Sequence, residues 1–293
     1  MTIVITGASG QLGRLVAERV LERTEPNQVV LVTRDPSRLA DLAARGTQVR
    51  AGDFGEPASL AGAFEGVEKA LIISTHEIGA RVPGHKAAID AAAAAGAASI
   101  TYTSSINPSH SNPIVVAPDH RETEEHLRAA GTGWTMLRNS IYADMLLQAA
   151  GPALATGRHV HNEGDGRVSY VARADCAAAA AAVLTSDGHD GKMYDVTGPD
   201  ALSAADVAAL FAELAGRPVE PLAVDDDAYV AGLVEHAQLP EPLARGLATF
   251  GIGARRGYSA PVSDTVRDLT GVAPASVREV LAAHAEVFAA GDR

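Results

Sequence analysis

One cysteine in 293 residues leaves no partner for an internal disulfide, and a reducing compartment is the expected setting. Cys176 itself lies in Asp175-Cys176-Ala177-Ala178-Ala179 and reads as a packed, inert thiol. Aromatic residues make up only 4% of the chain, too few to line a sandwich core, whereas the frequent alanines suit helices lying close against a sheet. An excess of positive charge is also missing. The balance is −12 with histidine neutral, which repels phosphate backbones and anionic lipid, so neither nucleic acid nor a membrane is an expected partner. No apolar run reaches the roughly 18 residues of a membrane span. A strand leading to Gly7 follows Met1 at once, so no targeting segment is expected and the expected location is cytoplasmic. There is no Gly-x-Ser-x-Gly elbow, and Cys176 has no evident base, so hydrolase chemistry lacks a nucleophile. His159-Val160-His161 places two imidazoles on one strand face without a third ligand, and no metal is expected.

What is present supports a sizeable core: 47% hydrophobic and 20% charged residues. Short apolar runs at 2–6, 28–33, 47–51, 70–74, 99–104 and 134–138 read as strands. Between them, 11–22, 36–45, 57–64, 83–95 and 121–130 read as helices, three of them opening on proline. Strands separated by helices of this length require parallel crossovers, hence an α/β, doubly wound parallel sheet. After Asn139 the alternation loosens. A strand at 167–171, a helix at 174–184 and a strand at 192–197 are expected to extend the same sheet. From Ser203 onward the pattern is mostly helical, with one short strand at 218–224. The expected division is a large domain over 1–198 and a small, mostly helical C-terminal cap over 199–293, with 150–166 contributing to the cap.

The strongest motif is Thr6-Gly7-Ala8-Ser9-Gly10-Gln11-Leu12-Gly13, directly after a strand and opening a helix. Gly7 permits the tight turn, Gly10 admits a pyrophosphate to the backbone amides, and Gly13 allows close packing of helix on strand. The helix N-terminus adds partial positive charge. In this context the pattern is a Rossmann dinucleotide site, with Gly7, Ser9, Gly10, Gln11 and Leu12 as the phosphate-binding residues.

About twenty residues further on, at the end of the second strand, an NAD site carries a carboxylate. Here the sequence is Thr33-Arg34-Asp35. The Arg34 guanidinium matches a 2′-phosphate with paired donors, which favours NADPH. The other reading pairs Arg34 with Asp35, which then serves the ribose of NADH. Asp53-Phe54, after the third strand, stands where this fold brackets the adenine, or else Asp53 caps the helix that begins near Pro57.

Short-chain dehydrogenases carry a serine after the fifth strand, then Tyr-x-x-x-Lys on the next helix. This chain has Tyr102-Thr103-Ser104-Ser105, but in Asp119-His120-Arg121-Glu122-Thr123-Glu124 His120 takes the lysine's place, and Val116 the tyrosine's. The chain resembles the NmrA-like atypical short-chain dehydrogenases, closest to their quinone oxidoreductase type 2 and triphenylmethane-dye reductase members. Besides the glycine loop and 119–124, the resemblance rests on Gly66-Val67-Glu68-Lys69, Leu137-Arg138-Asn139 with Tyr142, and Arg173-Ala174-Asp175, and it covers essentially the full length. It departs at Ser140-Ile141, where the quinone reductase has glycine and an aromatic, and at Ala143-Asp144.

Reduction of a carbonyl to an alcohol needs a proton for the developing alkoxide, whereas a quinone or cationic dye accepts hydride without one from the protein. The resemblance therefore implies an NADPH-dependent reductase (NADH remaining possible) for a small quinone-like acceptor, and a homodimer. By the same token Ser74, Thr75 and His76 after the fourth strand, and Asn139 after the sixth, are expected around the nicotinamide. Ile141, Tyr142 and Asp144 are expected at the acceptor, and Ser104, His120 and Tyr142 are the candidates for a catalytic role. The alternative is an NADP(H)-binding redox sensor of the same family, acting through a protein partner without turnover.

Overall fold

The computed structural model describes residues 1–75 and 77–289. Eleven strands are found among them: β1 (Ile3–Ile5), β2 (Val29–Thr33), β3 (Gln48–Ala51), β4 (Lys69–Ile72), β5 (Ser99–Ser105), β6 (Gly133–Asn139), β7 (Arg158–His161), β8 (Arg167–Val168), β9 (Lys192–Val196), β10 (Leu202–Ser203) and β11 (Glu220–Ala223). Seven of them form one parallel sheet in the order β3-β2-β1-β4-β5-β6-β9. Val29–Thr33 is buried at every position, as a parallel strand covered on both faces must be. The order reverses between β1 and β4, and the crevice outside their carboxyl ends is where this topology binds ligands.

Five helices of the first half, α1 (Gln11–Leu21), α2 (Ala40–Ala44), α3 (Leu60–Ala63), α4 (Val82–Ala94) and α5 (Ala117–Arg128), serve the crossovers. They are followed by α6 (Leu146–Thr156) and α7 (Arg173–Thr185). One face of the sheet buries Ile3, Ile5, Leu31 and Leu71 against α1 and α7. Within α7, Ala177 and Ala179–Ala182 are buried; such short side chains let two helices approach closely. The other face buries Val4, Val30, Ile72 and Tyr102 against α3, α4 and α5.

The C-terminal part holds α8 (Ala204–Ala215), α9 (Asp226–His236), α10 (Glu241–Arg255), α11 (Thr265–Thr270), α12 (Val277–Ala282) and α13 (Ala285–Ala289). Its core joins two separate stretches of chain. Leu146, Leu154 and Tyr170 pack with Phe211, Leu281 and Phe288, and β7 pairs in parallel with β11.

Two expectations are corrected. The run 167–171 does not extend the main sheet: only Arg167–Val168 is strand, and it pairs antiparallel with β10. The main-sheet edge beside β6 is taken by β9, leaving no neighbour for 167–171 there. Helix α5 begins at Ala117 rather than Arg121, because Pro118 sits in the first turn, where its missing N–H is harmless. The segments 36–45 and 57–64 each open with a 3₁₀ turn before a short α-helix. No described helix is long and apolar enough to cross a membrane.

Candidate dinucleotide and acceptor site

Gly7 turns the chain with φ +60°, a left-handed conformation that favours glycine. The Ala8 N–H donates to Val32 O at 3.1 Å and Gly10 N–H to Gly7 O at 2.9 Å, which ties the loop to β2. Gly10 is the N-cap of α1 with extended backbone, and no side chain caps the helix. The first-turn amides of Gln11 and Leu12 therefore point out of the helix end unsatisfied, as an anion site requires. A Cβ on Gly13 would stand 2.2 Å from Gly7 O and 2.8 Å from Ala8 Cα. The obstacle is backbone, so Gly13→Ala must displace the loop itself. Its expected effect is a loss of about 1–3 kcal/mol, read from the denaturant midpoint.

At the end of β2, Ser9 Oγ and Thr33 Oγ1 are 2.7 Å apart, which joins the loop to that strand's tip. Asp35 Oδ1 accepts from the Ser37 hydroxyl at 2.6 Å and the Ser37 N–H at 3.1 Å, and these bonds hold its pKa below the ordinary carboxylate value. Arg34 and Arg38 are exposed, and neither has a carboxylate partner within ion-pair distance among the described residues. Sequence reasoning missed Arg38, whose signal was its place one turn after Arg34, beyond Pro36. Asp53 Oδ1 accepts from the Gly55 N–H at 2.9 Å, so it shapes its own turn rather than capping a helix. Phe54 lies half-buried against Gly84 of α4 and offers its edge to the His85 ring, with centroids 6.3 Å apart.

At the carboxyl ends of β4, β5 and β6 the expected residues separate into two groups. Ser74 donates its N–H to Thr103 Oγ1 at 2.9 Å, and Thr75 its N–H to His85 Nε2 at 3.0 Å; both remain half-buried at the crevice. His76 lies outside the described residues. Asn139 is buried, and its Nδ2 donates to Tyr142 Oη at 3.2 Å while Oδ1 has no partner. Burial raises the Tyr142 phenol above its ordinary pKa, and the Arg173 guanidinium lies over its ring at 4.9 Å. Asp144 is committed to Arg173, accepting from Nη1 at 3.0 Å and from its backbone N–H at 2.9 Å. Ile141 packs into the cap core, and its carbonyl accepts from Val171 N–H at 3.0 Å.

Ser104 belongs to another environment. Its hydroxyl donates to Glu124 Oε1 at 2.7 Å, inside a cluster completed by Arg138 and Arg128. His120 is buried and meets the Tyr102 hydroxyl at 2.9 Å through Nδ1; burial, then the charge of Arg81, lowers its pKa, so it is neutral. His159 and His161 stack 6.0 Å apart, with Phe211 against His159. No group of three metal-ligating side chains is found among the described residues. Cys176 is buried, with its pKa raised by that burial.

These features fit a dinucleotide. The helix end after Gly10 is uncapped, two exposed arginines stand at the tip of β2, and buried Asn139 Oδ1 has no partner. Comparison with known proteins agrees. Escherichia coli K12 quinone oxidoreductase 2 is 39% identical over 269 residues, 92% of this chain and 93% of that one. A crystal structure of the NADPH-dependent quinone oxidoreductase of that organism, complexed with NADPH, matches with TM-score 0.92 and 37% identity, covering 96% of this chain and 99% of that one. Triphenylmethane reductase of a Citrobacter species, complexed with NADP(H), matches with TM-score 0.90 and 31% identity, covering 97% and 100%. The profile of a family described as NAD(P)H-binding covers residues 7–187, and this chain belongs to that family.

Proposed function

We propose that this protein is an NADPH-dependent reductase that passes hydride to a quinone or a similarly conjugated, electrophilic acceptor. The bound nicotinamide supplies the hydride. The protein's residues supply grip, orientation and exclusion of water. Gly10, Gln11 and Leu12 amides hold the pyrophosphate, Arg34 with Arg38 the 2′-phosphate, and Ser74, Thr75 and Asn139 the nicotinamide ribose and carboxamide. Tyr142 and Ile141 bound the acceptor's side, and Asp144 holds Arg173 over the Tyr142 ring.

One observation carries the choice of acceptor. At the two positions where related dehydrogenases keep the tyrosine and lysine of Tyr-x-x-x-Lys there is no charged proton donor: Val116 has no acidic group, and His120 is buried and neutral. An acceptor whose reduced form is delocalised or uncharged needs no such donor. His120 can still orient. Its Nδ1 meets the Tyr102 hydroxyl at 2.9 Å, which fixes the direction of the ring. A cytoplasmic location and the homodimer implied by resemblance belong to the same reading; light scattering checks the second.

The test is loss of reduced-nicotinamide absorbance with a panel of quinones and a triphenylmethane dye. Turnover with at least one acceptor is expected. Tight NADPH binding without turnover on any of them would replace the reductase by a redox sensor. Arg34→Ala is expected to lower the preference for NADPH over NADH by about ten- to a hundredfold, as the loss of one charge-assisted contact implies. Titration calorimetry with both nucleotides reads the ratio, and an unchanged ratio would remove Arg34 from the 2′-phosphate.

A further inference from the structure

Thr75 stands just past the carboxyl end of β4, at the rim of the crevice between β1 and β4, yet neither of its backbone polar groups is held by the sheet. Its N–H donates to His85 Nε2 at 3.0 Å, and its carbonyl accepts from Arg81 Nη1 at 2.9 Å. Both side chains come from the N-terminal end of α4, and both are buried. Arg81 is itself fixed by Asp119 of α5, donating through Nε at 3.0 Å, and Asp119 also accepts from Gly79 N–H at 2.9 Å.

The tautomer of His85 follows from its partners. A backbone amide only donates, so Nε2 carries no proton and Nδ1 does. Nδ1 lies 3.2 Å from Thr123 Oγ1, whose own hydrogen goes to Asp119 O at 2.8 Å, and 3.3 Å from Tyr102 Oη. Thr123 therefore accepts from His85, and the Tyr102 hydroxyl lies between the two imidazoles, 2.9 Å from His120 Nδ1. The imidazole is locked neutral, with its acceptor nitrogen aimed at Thr75. The Thr75 hydroxyl lies farther from Nε2, at 3.5 Å, so the amide is the contact that holds this strand end.

We infer that His85 is a positioning residue, which with Arg81 fixes the backbone of Thr75 and so sets where the nicotinamide ring lies against the acceptor. This rests on the reductase reading above. The anchors of the pyrophosphate and 2′-phosphate lie elsewhere, so loss of the His85 contact loosens the ring without releasing the nucleotide. The charged and titratable groups facing His85 are Arg81 on its own helix, Asp119 and His120 of α5, and Tyr102 of β5. Of these, Arg81 and Asp119 act on its charge in opposite senses.

The experiment compares His85→Phe, which fills the volume without an acceptor, with His85→Gln, whose amide can accept from Thr75 and donate to Thr123. Expected for His85→Phe are an NADPH Kd within about twofold of the parent and a kcat lower by about tenfold, the worth of one lost hydrogen bond. His85→Gln is expected to restore kcat to within about threefold. Fluorescence of bound NADPH is read alongside and should change in the Phe variant while staying parental in the Gln variant. An unchanged kcat in His85→Phe, or equal losses in both variants with matching falls in Tm, would overturn the inference. If the parent turns over no acceptor, the reductase reading fails, and the fluorescence comparison alone decides whether His85 positions the ring.

Discussion

Glu124→Ala is expected to lower the unfolding free energy by about 3 kcal/mol, with a Tm fall of several degrees. Glu124 is 1% exposed. Its Oε1 accepts from Ser104 Oγ at 2.7 Å and Arg138 Nε at 2.8 Å, and its Oε2 from Arg138 Nη2 at 2.7 Å and Arg128 Nη2 at 3.0 Å. Two parallel bonds from one guanidinium to one carboxylate are the stronger form of ion pair. Removing the carboxylate leaves the Arg138 charge half-buried and the Ser104 hydroxyl without an acceptor. The loss falls at the low end for a broken buried pair because Arg128 reaches solvent and Asp195 also lies near Arg138. Glu124→Gln keeps the volume and one acceptor and should lose roughly half as much. Chemical denaturation of both variants checks this; a Glu124→Ala protein as stable as the parent would mean that the cluster adds nothing net.

Stability is expected to fall steeply as the pH drops from about 6.5 to about 4. Burial pushes His85 and His159 down to about 4 from 6.5, and it lowers buried His120 as well. Between the two values the unfolded chain binds protons that the folded chain refuses, so acid favours unfolding. A shift of that size corresponds to about 3 kcal/mol per histidine. Three carboxyls oppose this: burial raises Asp175 and Asp195 above their ordinary values, and Glu163 by a large margin. Glu163 is raised by burial from 4.5 to about 7, so its folded form holds a proton longer and loses stability as pH rises. Glu163 offsets roughly one histidine, which leaves a net fall of about 3 kcal/mol from the other, before His120 adds to it and Asp175 and Asp195 subtract from it. Denaturant midpoints over this range test the sign. A profile flat between pH 4 and 6.5 would contradict it, and Glu163→Gln should make the acid fall steeper.

The glycine loop and the exposed arginine at the tip of β2 were legible because their requirements are local. A glycine needed for a left-handed turn, another needed where a Cβ would strike backbone, and an arginine at a strand tip each leave a mark in one short stretch. The main sheet was legible for a similar reason, since buried parallel strands read as continuous apolar runs. What failed was pairing at a distance. Arg167–Val168 has the composition of a sheet strand, but its neighbour was decided by β9 occupying the edge next to β6. Nor does Ser104 reveal in sequence that its hydroxyl faces Glu124, because that depends on where α5 lies across the sheet. Arg81 and His85 belong to no motif in the sequence. Their hold on Thr75 exists only once α4 and β4 are packed together.

The cap is not built from contiguous chain: Leu146, Leu154 and Tyr170 meet Phe211, Leu281 and Phe288 across the intervening α7 and β9. During synthesis the first group leaves the ribosome well before the partners that will cover it. The nucleotide-binding half can fold early, while this apolar surface stays open until nearly the last helix has emerged. Completion of this second core is thereby expected late in folding, and until then the nascent chain exposes an apolar surface prone to aggregation.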